Sequence, residues 1–565
     1  MPLQAVRLLI VPVAMLVVTC ACPAQTGIPS VVQGIHGEAI GLGGDIGTYG
    51  EVYSISGRAG RRPPASARIY FRPTLSLYDA MTLSGNVLLS TEGNAGTVGH
   101  EVNRINQFGI TPHWSWGYAS AGDFAETYTP WTLNGILVRG GGVTINPGLF
   151  RFSAIGGFTR RTDGGGFDRY LYGGRIGLGR EGGSHVDLLA MRVRDIPSEF
   201  RIVHPDSLPV PDSTQIGTIT NPYQETPQEN LVLGLAGTLL LFDNALTVDA
   251  EGSGSAFTRD MTSTALDNDR IPSFIRGIYN PRLSSSADYA MRVGMNVDLA
   301  VVRLRTGFKR IGPGYNALGV ASLITDVREF MGGADVRLSR LSGSVTWTRQ
   351  NDNLLGQKLH TTVRQTLMVH LASRPLDVWS PTVFFNILTL RNYAGSVTDL
   401  IRFSTLGIGT SQTIMFGMND FIRMAALSYM FQQSVDDNPL HTNSGSQSHM
   451  LTANASAIIT PELSIVPSVS VVSSRIGAAG RSTIHSYSVT AQYRVLENRL
   501  TTSLTTGLSA AESSTSLQLN LNARYHLASA TTVSLSLRRT GFSSTLPSTG
   551  DYSEYVGSVM VTQGL

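Results

Sequence analysis

Arg192, Arg194, Arg292, Arg303, Arg305, Arg337, Arg364, Arg494, Arg524 and Arg538 each stand on the polar side of a run in which apolar and polar residues alternate. Side chains on a β-strand point to opposite faces with a period of two, so these guanidiniums are expected on one face of a sheet. The chemistry open to them is electrostatic: a basic wall concentrates anions and biases passage toward them. For any single arginine the preferred reading is plainer, a pair with a carboxylate such as Asp187, Asp298 or Asp335 that holds the wall together. Nothing in the sequence calls for covalent chemistry. It contains no HExxH, GxSxG, P-loop or Cys-x-x-Cys pattern. The 11 histidines are scattered, and His370 and His526 read as polar-face wall residues rather than metal ligands. Gly140-Gly141-Gly142 and Gly164-Gly165-Gly166 read as places of sharp backbone path, not phosphate cradles. No catalytic residue, metal or cofactor is expected.

The elements that carry these arginines are typified by Ser516 to Arg538. Leu517, Leu519, Leu521, Ala523, Tyr525 and Leu527 alternate with Gln518, Asn520, Asn522, Arg524 and His526. After a short break at Ala528 to Thr532, Val533, Leu535 and Leu537 alternate with Ser534, Ser536 and Arg538. Two such arms predict an antiparallel hairpin with one apolar and one polar face. The pattern recurs along the chain, as where Tyr289, Met291, Val293, Met295 and Val297 oppose Arg292, Asn296 and Asp298. Charged residues make up 15% of the chain, against roughly 25% in soluble domains. A formal net charge of +3 does not point to a nucleic-acid partner, and no basic run does so either.

The N-terminus reads as a processing segment. Arg7 precedes the apolar run Leu8 to Val18, which is too short to span a bilayer, and Cys22 and Ala24 fit a small-x-small cleavage site. Residues 1–24 are therefore expected to be a signal peptide, 25–40 a short exported segment, and 41–565 one all-β domain. Cys20 and Cys22, the two cysteines, fall inside the leader, so disulfides are not expected to hold the fold.

Many alternating runs extend roughly 9–13 residues, longer than the roughly 5–6 of soluble strands and close to the roughly 9–11 that cross a bilayer. Connections alternate between tight turns, such as Asn146-Pro147-Gly148, and long polar loops. About 26 strands are predicted, within a range of 22–26, as a transmembrane antiparallel up-and-down barrel with short periplasmic turns and long extracellular loops. A soluble sandwich or propeller with the apolar face inward is the competing architecture.

By that architecture the chain resembles the large, porin-like outer-membrane β-barrels of Gram-negative bacteria. The resemblance implies outer-membrane lipid and the barrel-assembly machinery as partners. It makes a passive channel for small polar solutes the leading expectation. A non-conducting structural or surface-binding barrel within an envelope complex comes second, and a barrel hydrolase third. Trp114, Trp116, Tyr289, Trp347, Tyr493 and Tyr525 would suit interfacial girdles. Only about 15 residues precede the first strand after cleavage, too few for a plug domain. Loops Asp195–Gln228 and Arg259–Ala287 are expected to fold inward, and the apolar piece within Gly312–Arg328 to form a loop helix.

Overall fold

The computed structural model describes residues 40–78, 80–91, 106–161, 167–180, 182–197, 226–266, 277–417, 420–441, 444–477, 480–546 and 550–565. The expected signal peptide, Cys20, Cys22, Gly164-Gly165-Gly166 and most of loop 195–228 lie outside them. The chain forms strands β1 (Ile40–Ser56), β2 (Ala65–Leu77), β3 (Met81–Ser90), β4 (Gln107–Trp114), β5 (Gly117–Ala125) and β6 (Leu137–Ile145). There follow β7 (Phe150–Arg160), β8 (Phe167–Gly179), β9 (His185–Pro197), β10 (Glu229–Leu241), β11 (Leu246–Thr258), β12 (Ser285–Asp298) and β13 (Val302–Ile311). The second half comprises β14 (Val327–Arg337), β15 (Leu341–Asn351), β16 (Thr362–Ser373), β17 (Trp379–Asn392), β18 (Arg402–Met415), β19 (Ile422–Asp436) and β20 (Ser446–Ile458). The ring is completed by β21 (Leu463–Ile476), β22 (Arg481–Val495), β23 (Leu500–Ala510), β24 (Ser514–Ala528), β25 (Thr531–Ser544) and β26 (Tyr552–Gly564).

Every strand pairs antiparallel with its sequence neighbours, and β1 pairs with β26 from Asp45↔Gly564 to Ser56↔Ser553, so the sheet closes. Closure removes the edges that an open sheet would leave unpaired. Both ends of the ring strands β1 and β26 that carry the termini lie at one rim, with the short turns; the longer loops lie at the other. With strands about 4.8 Å apart and tilted about 40°, a circular ring of 26 is about 50 Å across between backbones.

The inward face is fixed by convergence. Val138, Ile155, Leu171, Met191, Val193, Val232, Ala290 and Ile311 come from seven different strands and pack on Trp131, Leu133, Tyr315 and Ala317 of two loops. Side chains from so many strands meet only on the concave side. Directly opposed cross-strand residues share a face, so one parity follows around the ring. Leu188, Leu233 and Leu235 stand on the outer face at 58%, 51% and 55% exposure, and Leu504, Leu517 and Val533 occupy the same face across the barrel. The outer face is thus apolar where nothing covers it, which a soluble sandwich would forbid.

The stretch Trp131–Ile145 enters the sheet only at Leu137, because Thr129-Pro130 and Asn134-Gly135 turn its first part into a loop. The turn between β4 and β5 falls at Ser115-Trp116. The segment 312–326 contains no helix; it runs as an irregular strap. Gly140 lies within β6 rather than in a turn: a Cβ there would sit 2.0 Å from the Gly156 carbonyl oxygen, so this stretch demands backbone contact between β6 and β7.

Candidate lumenal site

Eight of the ten arginines expected on the wall stand on the lumen face. Arg292, Arg303, Arg305 and Arg337 come from β12, β13 and β14, and Arg364, Arg494, Arg524 and Arg538 from β16, β22, β24 and β25. Arg192 and Arg194 do not. The register of β9 places them outside, level with Tyr172 and Glu229, because Leu189, Met191 and Val193 take the inward positions. Arg192 donates to the Tyr172 hydroxyl at 2.7 Å and to the Glu229 carboxylate at 2.8 Å through Nε. The parity expectation is corrected at these two positions. It assumed a wet lumen, whereas here the lumen side is packed and apolar.

The lumenal arginines fall into two groups. On the N-terminal side they are paired: Arg292 Nε lies 3.1 Å from Glu251, Arg303 Nε donates to Asp298 at 2.8 Å, and Arg305 Nη2 to Asp335 at 2.9 Å. Lys309 meets Glu329 at 3.0 Å. Asp187 pairs with none of the ten but takes a buried two-pronged contact from Arg151, at 2.9 and 3.0 Å. On the other side the carboxylates stop. Strands β15 to β25 contain one, Asp436, and it is held by His441 at 2.7 Å. Among the described residues Arg337, Arg364, Arg494, Arg524 and Arg538 have no carboxylate within 4.0 Å.

Around Arg494, Arg524 and Arg538 the wall is uncharged and largely polar, whereas Arg364 stands between Gln350 and Leu390. Thr490–Thr505 and Ser486–Ser509 hydroxyls meet at 2.9 Å, and Thr452 donates to Ser470 at 3.2 Å. Asn520, Asn522 and Gln518 continue the surface on β24. Arg494 and Arg524 flank Thr501 in one cross-strand row near the short-turn rim, Arg538 lies at mid-height opposite Asn520, and Arg364 lies near the long-loop rim. His370 and His526 also face the lumen, His526 Nδ1 lying 3.1 Å from the Thr532 hydroxyl. The six aromatics expected at interfaces stand on the outer side. Trp114 and Trp116 pack edge to face at 5.3 Å near the short-turn rim, where Tyr493 and Tyr525 also lie. With its closure, even strand number, apolar exterior and the polar lumen wall around Arg494, Arg524 and Arg538, the architecture is that of a porin-like outer-membrane β-barrel.

No protein-family profile matches the sequence, and no curated protein matches it. Solved structures similar to it include the siderophore receptor PirA from Pseudomonas aeruginosa, at 10% identity and a TM-score of 0.39, over 93% of this chain and 80% of that one. An anion-selective porin from Comamonas acidovorans aligns at 10% identity and a TM-score of 0.26, over 49% of this chain and 93% of its own. The translocation pore of the P pilus usher PapC gives 10% and 0.27, over 93% and 99%. At such scores these likenesses carry no argument, and the fold rests on the register above.

The lumen of this barrel holds two inward loops, neither of them expected. Segments 126–136 and 312–326 clasp each other through a parallel bridge. The Asn134 N–H donates to the Gly319 carbonyl at 2.9 Å, and the Ala321 N–H returns to Asn134 at 3.1 Å. A Cβ on Gly319 would sit 2.5 Å from the Thr132 carbonyl oxygen, so glycine is required for this approach. The Tyr315 hydroxyl donates to the Trp131 carbonyl at 2.9 Å, and both residues are almost fully buried. Asn230 of β10 pins the clasp to the wall. Its amide donates to the Ser255 hydroxyl at 3.0 Å, Ala256 O at 3.1 Å and Asn316 O at 3.0 Å, and it accepts the Leu318 N–H at 3.0 Å. Loop 259–287 bridges Ala265 to Arg282 within its described parts and seats Tyr279 against Thr258 at 2.6 Å.

The base of the strap is fastened by charge. Burial pushes the Asp326 carboxyl up, but the Lys358 ammonium at 2.6 Å and the N–H groups of Leu354 and Asn353 outweigh it and hold it below the ordinary range. A lowered carboxyl contributes stability that is full above the ordinary value of about 4 and is lost as pH falls through the lowered one. Exchange protection of the Leu354 amide, corrected for its intrinsic rate, should therefore drop as pH falls below about 4. In Asp326→Asn it should already be low at pH 7 and insensitive to acid. Equal protection in both proteins at pH 7 would contradict this fastening.

Proposed function

We propose that this chain sits in the outer membrane as a passive channel for small polar solutes, with a preference for anions. The observation that carries this reading is the lumen wall of β15 to β25, where Arg364, Arg494, Arg524 and Arg538 stand without carboxylate partners and hydroxyls and amides make up most of the surface around Arg494, Arg524 and Arg538. Such a wall hydrates a solute, offers hydrogen bonds that are easily exchanged, and raises the local concentration of anions. The paired charges of the N-terminal side brace the barrel and support the clasp, so that half acts as a fixed wall. Purified protein in planar bilayers tests the reading. Discrete conductance steps with an anion-directed reversal potential support it; the absence of steps, or a cation-directed potential, removes it.

One observation favours a second reading, a structural barrel that does not conduct. The clasp is a dry apolar body inside the lumen, and dry packing serves support better than permeation. Zero conductance from protein that fractionates with outer membranes would select this alternative.

A further inference from the structure

A second arginine cluster stands on the opposite surface of the same wall. Arg475 of β21 and Arg481 of β22 are direct cross-strand partners on the outer face at the long-loop rim, and both are exposed. Like charges placed opposite each other in an antiparallel pair repel. Among the described residues neither has a carboxylate within 4.0 Å. Arg481 Nε donates to the Ser473 hydroxyl at 2.8 Å, which fixes its guanidinium and leaves the terminal amino groups directed elsewhere. The two arginines, with Gln447, His449, Ser473 and Gly480, line a pocket of about 440 Å³. Gln447 lies opposite Arg475 and His449 opposite Ser473, so all the polar groups share the outer face.

The order of residues down this face says what the pocket meets. Below the arginine row His449 packs on Phe431 at 5.0 Å and meets the Tyr429 hydroxyl at 2.8 Å. Below that come Leu451, Val469 and Tyr487, exposed on the outer face. An apolar band, then aromatic rings, then paired guanidiniums is the sequence of environments from acyl chain to interface to headgroup. We propose that Arg475 and Arg481, with His449, Gln447 and Ser473, bind the phosphate of a phosphorylated glycolipid in the outer leaflet, its acyl chains lying along Leu451 and Val469. Guanidinium forks match phosphate oxygens in two-pronged fashion, and a bound dianion turns the Arg–Arg repulsion into shared attraction. The pocket volume suits a phosphosugar rather than a bare ion.

This inference rests on the outer-membrane placement proposed above, so the test reads the two separately. Full-length protein and the variant Arg475→Ser/Arg481→Ser are purified in neutral detergent, and each is checked for the heat-sensitive mobility of a folded barrel and for insertion into neutral lipid vesicles. Wild type that fails to insert defeats the placement itself. Each is then titrated with diphosphorylated lipid A, with the same lipid stripped of phosphate, and with inorganic phosphate, and bound species are counted by native mass spectrometry. Wild type should hold one more phosphorylated lipid than the variant, with retention at that site falling roughly tenfold or more. Neither protein should hold the stripped lipid there. Equal retention by wild type and variant, equal retention of stripped lipid, or displacement of the lipid by millimolar inorganic phosphate would each overturn the proposal.

Discussion

Replacing Arg364, Arg494, Arg524 and Arg538 together by glutamine should remove most of the anion preference while leaving the barrel folded and conducting. These four supply the charge of a wall whose strands offer a single carboxylate, itself occupied by a histidine. Glutamine keeps a hydrogen-bonding amide on a shorter side chain but not the charge. In a potassium chloride gradient near 0.03–0.3 M, the reversal potential of the variant should move most of the way toward zero, the remainder reflecting Arg337. At low salt the anion-to-cation permeability ratio should fall from about tenfold or less, the weak end of the range for charged clefts, toward one. The weak end applies because the ring is about 50 Å across while charges are screened within about 8 Å at physiological salt. The same argument predicts that wild-type selectivity collapses at 1 M salt, where the screening length is about 3 Å. A control that neutralises both partners of two pairs, Arg303→Gln/Asp298→Asn/Arg305→Gln/Asp335→Asn, should shift the potential far less, since it leaves the net charge of the lumen unchanged. If both variants shift it equally, the division of the wall into braced and free halves is wrong.

How far the sequence carried this picture depends on which solvent the lumen face meets. Around Ser516–Arg538 the lumen face is polar, and strict alternation fixes both strands: Leu517, Leu519 and Leu521 stand outside, Gln518, Asn520 and Asn522 inside. Strand number and the alternation of turns with loops follow from the same repetition. The reading fails where the lumen is packed. In the middle of β9 both faces are apolar, so parity assigned Arg192 and Arg194 from the polarity of their own side chains and missed Leu189, Met191 and Val193, whose burial depends on two loops distant in sequence. The sequence of those loops misleads for a related reason. The apolar residues Trp131 and Leu133 at i and i+2 look like a strand, and the apolar stretch 317–324 looks like a helix. A signal was present, in that Pro130 and Asn134-Gly135 interrupt the first of them, and an apolar residue between turn residues must find cover. Which cover it finds is a tertiary fact. The pairing of free and braced arginines is likewise tertiary, since Arg305 and Asp335 lie on neighbouring strands but 30 positions apart.

Asn230→Leu should release the clasp from the wall. Its side chain is 1% exposed, and its oxygen is the partner of the Leu318 N–H while its amide reaches three acceptors. Leucine keeps the volume and removes all four contacts. The Asn316 carbonyl retains the Ser255 hydroxyl, but the Leu318 N–H is left buried without a partner, at a cost of about 1–3 kcal/mol. The apolar side of the clasp resists: each fully buried side chain such as Leu133 contributes about 1.5–3 kcal/mol. The barrel therefore stays closed while the strap around Asn316–Leu318 opens more often by roughly one to two powers of ten. Proteolysis should then cut first within 312–326, and single-channel records should show added open-state noise at unchanged reversal potential, since no lumenal charge has moved. Tyr315→Phe, which loses one hydrogen bond to the Trp131 carbonyl, should produce the same changes at lesser size. If Asn230→Leu leaves both the cleavage pattern and the noise of wild type, the strap is held by its apolar contacts alone. The polar fastening would then have no part in shaping the lumen.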